Sequence, residues 1–249
     1  MVSSNNAITN TVGASISGVT NTLTVTNPSN TASSAARETI VVGGATASDP
    51  TINWNVSGVT NWEMGIDNSV SDNLTISQGT ALGTNDTWRM DTTGRRTMPL
   101  QPCFSAYKSA NQLNATGDGT VVTIVFDTEI NDQSSNYNNA TGIFTAPVNG
   151  TYFLCCAVGF NAVGAAHTLS NLNMVTTSNT YQGPNYRCST VADTGGGLIY
   201  NLVVQAVMTA GDTARVQWSV SGGTKTININ ATGGGAGVRN TYFQGFLIC

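Results

Sequence analysis

Few side chains in this chain are able to do chemistry. There is a single histidine, His167, and no Asp or Cys stands at a spacing that would pair with it as nucleophile and base. It therefore reads as a strand or surface residue. The five cysteines, Cys103, Cys155, Cys156, Cys188 and Cys249, are odd in number and include no C-x-x-C pair. That argues against a zinc knuckle or a disulfide framework and for buried free thiols made in a reducing compartment. Asp127 and Glu129 share one face of an expected strand, as a glycosidase pair would, but Asp132 follows in an expected loop and nothing implies a cleft. The loop acids open to calcium are Asp118, Asp132 and Asp193, with no Asp-x-Asp-x-Asp-Gly pattern among them. "DTGGGL" (193–198) and "GGGAG" (233–237) lack the Gly-Lys-Ser/Thr and the following helix of a phosphate cradle, so they read as loops. The expectation is a protein that is not an enzyme, with no catalytic residue, no metal and no cofactor.

Composition sets what must position these residues. Only 9% of the 249 residues are charged and 40% are hydrophobic, with Asn, Thr, Ser and Gly in place of the missing charges. Short polar side chains compete with the helical backbone and favour turns and strands. No apolar period of helical length occurs, and the residues point to an all-β chain. The net charge is −4 and the basic residues are scattered, so no stripe exists to neutralise phosphates and nucleic acid is not an expected partner. No apolar run is long enough to span a bilayer. The first residues, "MVSSNNAITNTVGASIS", show neither a basic nor an apolar leader region, so no secretory signal is expected.

Residues 1–35, rich in Asn, Ser and Thr, read as an extended segment. The "SGVTN" of 17–21 recurs at 57–61, a hint of duplication. From 36 to 98 short strands are expected in "ETIVVGG", "TINWNVSG", "NWEMGID", "NLTISQG" and "DTWRMDTTG". Alternation puts Ile52, Trp54 and Val56 on one face, as it does Trp62, Met64 and Ile66, then Leu74 and Ile76, then Trp88 and Met90. That is little apolar material for an independent core, and partner chains would have to supply the rest. Pro99 and Pro102 mark a linker at 99–102. From 103 to 249 the strands lengthen, among them "TVVTIVFD", "GTYFLCCAVGF", "YRCSTV", "GLIYNLVVQAVMT" and "NTYFQGFLIC", as in a two-sheet antiparallel sandwich.

Within this last region Phe126, Asp132, Tyr137, Phe144, Gly150 and Tyr152 keep a fixed spacing, followed by "VMTAGDTARVQW" and "TYFQGFLI". The pattern resembles the complement C1q globular-head family, which shares its jelly roll with tumour necrosis factor. Leu154 and Cys156 depart from it, standing where the family has Phe and another aromatic. The resemblance implies a C-terminal jelly-roll knob that assembles as a homotrimer. Physically, residues 150–160 are apolar on both alternating faces, Tyr152, Leu154 and Cys156 against Phe153, Cys155 and Ala157. One face packs between sheets; a neighbouring subunit, or else a thicker single-chain core, must cover the other. Phe126, Phe144, Tyr152, Leu154, Tyr242 and Phe246 are accordingly expected at the core or the trimer interface.

Residues 47–94 resemble a module of phage tail fibres, carried by Asp49-Pro50, by Trp62, Gly65, Asp67, Asn68 and Ser69, and by Leu82 to Asn85. That likeness implies a small β-rich trimeric stalk ahead of the knob. Together the two resemblances imply a virion fibre protein on the particle surface. It would be anchored to other virion proteins through residues 1–35, with a knob that binds a host-surface glycan or protein. Receptor contacts are expected from Gln133, Asn136, Tyr137, Tyr181 and Tyr186, in polar loops such as 117–119, 131–139 and 179–186. A capsid decoration trimer of mainly structural role and a secreted C1q-like lectin, whose Asn-x-Ser/Thr triplets would carry glycans, are the alternatives.

Overall fold

A computed structural model of the chain describes residues 26–30, 32–231 and 237–249. Most of the expected N-terminal anchor, and most of the glycine run at 233–237, lie outside the described residues. Among the described residues there is no α-helix, only strands, turns and one 3-10 turn at Cys188–Thr190. Scarce charge and abundant Thr, Asn and β-branched residues produce this outcome.

The first five strands, β1 (Thr51–Val56), β2 (Thr60–Asp67), β3 (Asn73–Gln78), β4 (Asp86–Met90) and β5 (Arg96–Thr97), form an antiparallel meander in chain order. Its turns are built by side chains. Asp67 Oδ1 accepts from Ser69 N at 3.1 Å, Ser69 Oγ at 2.7 Å and Val70 N at 3.1 Å, closing the β2–β3 turn. Gly65 must be glycine, because a Cβ there would sit 2.3 Å from the Pro50 carbonyl oxygen. "ETIVVGG" (38–44), expected as a strand, is not one; Ile40 and Val41 are exposed and find no strand to pair with.

The remaining strands are β6 (Cys103–Tyr107), β7 (Gln112–Thr116), β8 (Val122–Thr123), β9 (Thr128–Gln133), β10 (Tyr137–Asn138), β11 (Ile143–Thr145), β12 (Gly150–Asn161), β13 (Leu169–Thr176), β14 (Thr180–Arg187), β15 (Leu198–Met208), β16 (Thr213–Val220), β17 (Ile227–Asn230) and β18 (Tyr242–Leu247). They build an antiparallel jelly-roll sandwich. One sheet runs β10-β11-β16-β13-β14, with β8 beside β16; the other runs β7-β17-β12-β18-β6-β9, with β15 along the free side of β12. Phe126, Phe144, Tyr152 and Leu154 lie fully inside it, with Phe104, Phe160, Trp218 and Phe243. Phe104 stacks on Tyr137 at 5.1 Å and on Phe144 at 4.7 Å, and Trp218 Nε1 donates to Ser170 Oγ at 3.0 Å. Each buried aromatic removes roughly 150–250 Å² from water, a few kcal/mol apiece.

Two expected strands are redrawn. In "TVVTIVFD" only β8 is laddered; Ile124 and Phe126 enter the core from irregular backbone, with Ile124 N donating to the Val216 carbonyl. In "YRCSTV" the strand ends at Arg187, and β14 instead takes in the polar "TYQGPNYR", where Pro184 is tolerated on an edge strand.

Strand directions give the sandwich two distinct ends. β6 starts where β12 starts and where β15, β9 and β18 finish, since Cys103 pairs Phe246 and Gln133, and Gly150 pairs Met208. The connector from the first sheet enters here. Gln133 Nε2 donates to the Met98 and Pro99 carbonyls, and Gln101 Nε2 donates to the Leu247 carbonyl at 2.8 Å. The far end carries residues 117–121, 162–168, 188–197 and 221–226.

Candidate functional site

The outer face of the β12 sheet mixes exposed apolar side chains with uncharged polar ones. Cross-strand register sets Gln205, Phe153, Phe246, Cys103 and Gln133 in one row, Val203, Cys155, Gln244 and Ser105 in the next, and Asn201, Ala157, Tyr242 and Tyr107 in a third. Phe153 and Phe246 stack with centroids 5.1 Å apart, yet Phe246 stays 47% exposed, Val203 54% and Val207 75%. No charged side chain stands within these rows, but the Arg239 guanidinium lies over the Tyr107 ring at the end of the third, 4.3 Å from its centroid. Partial burial pushes the Cys155 thiol up, and burial, with Cys155 and Cys156 beside it, pushes the Tyr242 phenol up. On the opposite, core-facing side of β12, burial pushes Cys156 up to about 12, so it stays a thiol.

Of the six residues expected at core or interface, Phe126, Phe144, Tyr152 and Leu154 are core, whereas Tyr242 and Phe246 are on this outer face. Sequence reasoning missed Ile199, Val203 and Val207, which share the outward face of β15; their alternation with Tyr200, Leu202, Val204 and Ala206 was the available signal.

A second apolar feature lies where β14 meets β15, the open edge of the sandwich. Pro184, Tyr186, Val191, Leu198 and Ile199 line a shallow groove of about 360 Å³ there. Tyr186 is 57% exposed and stands edge-on to Tyr200, with ring centroids 6.1 Å apart.

The expected receptor contacts divide differently from the sequence reading. Tyr137 is buried; its hydroxyl donates to the Phe126 carbonyl at 3.1 Å, and burial pushes the phenol well up. Asn136 and Gln133 are occupied in local bonds, Asn136 Nδ2 to the Gln133 carbonyl at 3.1 Å and Gln133 to the connector. The "NDQSSNYNN" loop shrinks to a turn at 134–136, because β9 reaches Gln133 and Tyr137 starts β10. All three sit at the connector end, since β9 runs towards it. Tyr181 packs half-buried on the core, and Tyr186 belongs to the edge groove.

The far end is the exposed tip, and His167 organises it. The ring is buried, Nδ1 accepting from Gly164 N at 2.9 Å while Nε2, which therefore carries the proton, donates to the Thr224 carbonyl at 3.1 Å. Gly117, at φ +135°, packs against the same ring, where a Cβ would lie 3.0 Å from Nε2. His167 is thus a loop clasp, neither surface residue nor base. The acids nominated for calcium brace backbone: Asp193 Oδ1 accepts from Gly195 N and Gly197 N, Asp132 from Asn136 N and Tyr137 N, and Asp118 from Thr120 N. The Thr120 hydroxyl and then its N–H hold the Asp118 carboxyl below the usual range. Among the described residues no group of three His, Cys, Asp or Glu is placed to hold a metal ion.

No curated protein matches the chain. Among solved structures, the globular domain of zebrafish complement 1qA protein aligns at TM-score 0.41 and 16% identity, over 60% of this chain and 98% of that one. Murine APRIL at pH 8.5 aligns at TM-score 0.39 and 9% identity, over 59% and 99%. A family model described as the C1q domain matches residues 103–248, more than half of the chain. With the jelly roll and its aromatic core, this means that the chain belongs to the C1q domain family.

Proposed function

We propose that three copies of this chain assemble through their C-terminal domains into a fibre on the surface of a virion, and that the far-end loops of the assembly attach it to a glycan or protein of a host cell. The observation that carries the reading is the exposed apolar cluster of Phe153, Phe246, Val203 and Val207 on the outer face. Exposed in water, such a face is an aggregation-prone patch; against another copy it becomes an interface. Closed threefold assembly needs two complementary surfaces on each copy. The outer face and the groove edge at Tyr186, Val191 and Ile199 supply the pair. Recognition then falls to the tip loops at 117–121, 162–168 and 221–226, which His167 ties together and which point away from the connector. Three tips on one axis raise weak contacts to useful avidity. The virion setting rests on the likeness of residues 47–94 to tail-fibre modules, with residues 1–35 as the attachment to other virion proteins.

Native mass spectrometry of the full chain tests assembly: a trimer at micromolar concentration is expected, and a stable monomer overturns the reading. Binding of the purified trimer to host cells, and its competition with intact particles, tests attachment. A trimer that binds no cell and appears in labelled micrographs on the capsid shell replaces attachment with a decoration role.

A further inference from the structure

The N-terminal sheet is built inside out. Its register puts Asn53, Glu63, Ser77 and Asp86 in one row and Asp67 opposite Asn73, all on the same face. That polar face is the buried one: Glu63, Asp67, Thr75, Ser77 and Asp86 are shielded as the loop between β3 and β4 folds back over them. Leu82 is buried in this loop, and Gly83 N donates to Asp86 Oδ1 at 2.9 Å. The apolar face looks outward. Trp54 pairs Trp62, Ile52 pairs Met64, Met64 continues through Ile76 to Trp88, and Ile66 through Leu74 to Met90. Trp54 remains 51% exposed, Val56 58%, Ile52 38% and Trp62 38%. With tryptophans of roughly 200 Å² or more apiece, the open area is of order 300–600 Å², the most that an ordinary monomer shows.

We infer that this Trp54–Trp62–Trp88 face is a self-docking surface whose occupant is the same face of other copies of the chain. The occupant follows from two features. From β1 to β4 the face holds no charged side chain, Arg96 standing only at its β5 rim beside Met90, so its tryptophan-bearing part meets its like without repulsion. The connector is also pinned to the C-terminal domain by Gln133, which lies in the Phe153–Phe246 row, and by Gln101 at the end of β18. Copies joined through the outer face of the knob therefore hold their connectors, and the sheets that end at Thr97, at high effective concentration. In the number of copies the inference rests on the proposed trimer; in the location of the surface it does not.

Tryptophan fluorescence isolates this face, because three of the four tryptophans lie on it and the fourth, Trp218, is fully buried in the sandwich. Iodide quenching of the full chain is to be read beside sedimentation velocity on the same samples. The expected result is a trimer with little quenching, and strong quenching only where dilution has produced monomer. In Trp54→Glu/Trp62→Glu, the expected result is a trimer still held by the C-terminal domains, with Trp88 now open to iodide. A wild-type trimer in which iodide quenches half or more of the emission overturns the inference and leaves the knob assembly standing. A monomer with protected tryptophans also overturns it. A quenchable monomer removes both readings.

Discussion

Replacing Phe246 with Ala separates an interface residue from a core residue. In one copy its side chain is 47% exposed and stacked only on Phe153. Covering the open half in a trimer removes roughly 100 Å² of apolar surface per copy, about 2.5 kcal/mol at ~25 cal/mol/Å². Three such losses weaken the trimer by about 7 kcal/mol, or some five powers of ten in the three-body association constant. The association midpoint varies as the square root of that constant, so it should rise several hundred-fold. The fold of the single copy should lose the ring stack, about 0.5–1.5 kcal/mol, and the half of the side chain already buried in it, about another 2.5 kcal/mol. Sedimentation velocity from nanomolar to 100 micromolar, with a urea melt at the dilute end, reads both quantities. Val121→Ala, at a side chain 59% exposed on the far end, is the control and should leave the midpoint in place. A shift below ten-fold for Phe246→Ala with trimer retained would refute the assignment of this face. So would unfolding at every concentration, which would make Phe246 a structural residue.

Four smaller outcomes are expected. Tyr137→Phe should cost about 1 kcal/mol of thermal stability, from the bond to the Phe126 carbonyl, and leave cell binding unchanged; lost binding would restore Tyr137 as a contact. His167→Ala removes an acceptor and a donor from a buried clasp and should cost about 2–4 kcal/mol, seen as a melting point lower by several degrees and faster proteolysis within 162–168 or 221–226. Alkylation of the native protein at pH 8 should modify exposed Cys249 first and spare Cys156, which burial holds up at about 12, and buried Cys188; equal labelling of all five would show the core to be open. Asp118, held down by the Thr120 hydroxyl, Asp91 by the Thr93 hydroxyl and the Arg95 N–H, and Asp212 by the Thr209 N–H, all titrate below the usual carboxylate range. Their stabilisation is present above about pH 4 and is lost as the pH falls through the lowered values, so a melting point that rose on acidification would contradict these turns.

The fold was legible where a residue's neighbours along the strand decide its surroundings. Alternation in "GTYFLCCAVGF" was enough to set Tyr152 and Leu154 on one face and Phe153 on the other; which face turns inward is decided by the sheet packed against it. It failed where a distant strand decides. "TYQGPNYR" is polar, yet it becomes β14 because β13 offers it a ladder; "ETIVVGG" is apolar, yet stays irregular because no strand offers one. Tyr137 illustrates the same limit at the site. Surrounded in sequence by Asn and Ser, it reads as a loop aromatic, but the two-residue pairing of β10 with β11 swings it into the stack with Phe104.

The tip of the molecule is likewise a consequence of strand direction, which no local pattern states. Gln133, Asn136 and Tyr137 lie in a loop as polar as any binding loop, and β9 carries them to the end where the connector enters. His167 stands in an unremarkable "GAAHTL", yet it lies at the opposite end, because β13 starts there and runs back towards the connector. A trimer whose connectors all enter at one end presents the loops at the starts of β13 and β17 at the other. The loops braced by His167 and Asp118 are therefore where substitutions should change the proposed attachment, and the face around Phe246 is where they should change whether the protein assembles at all.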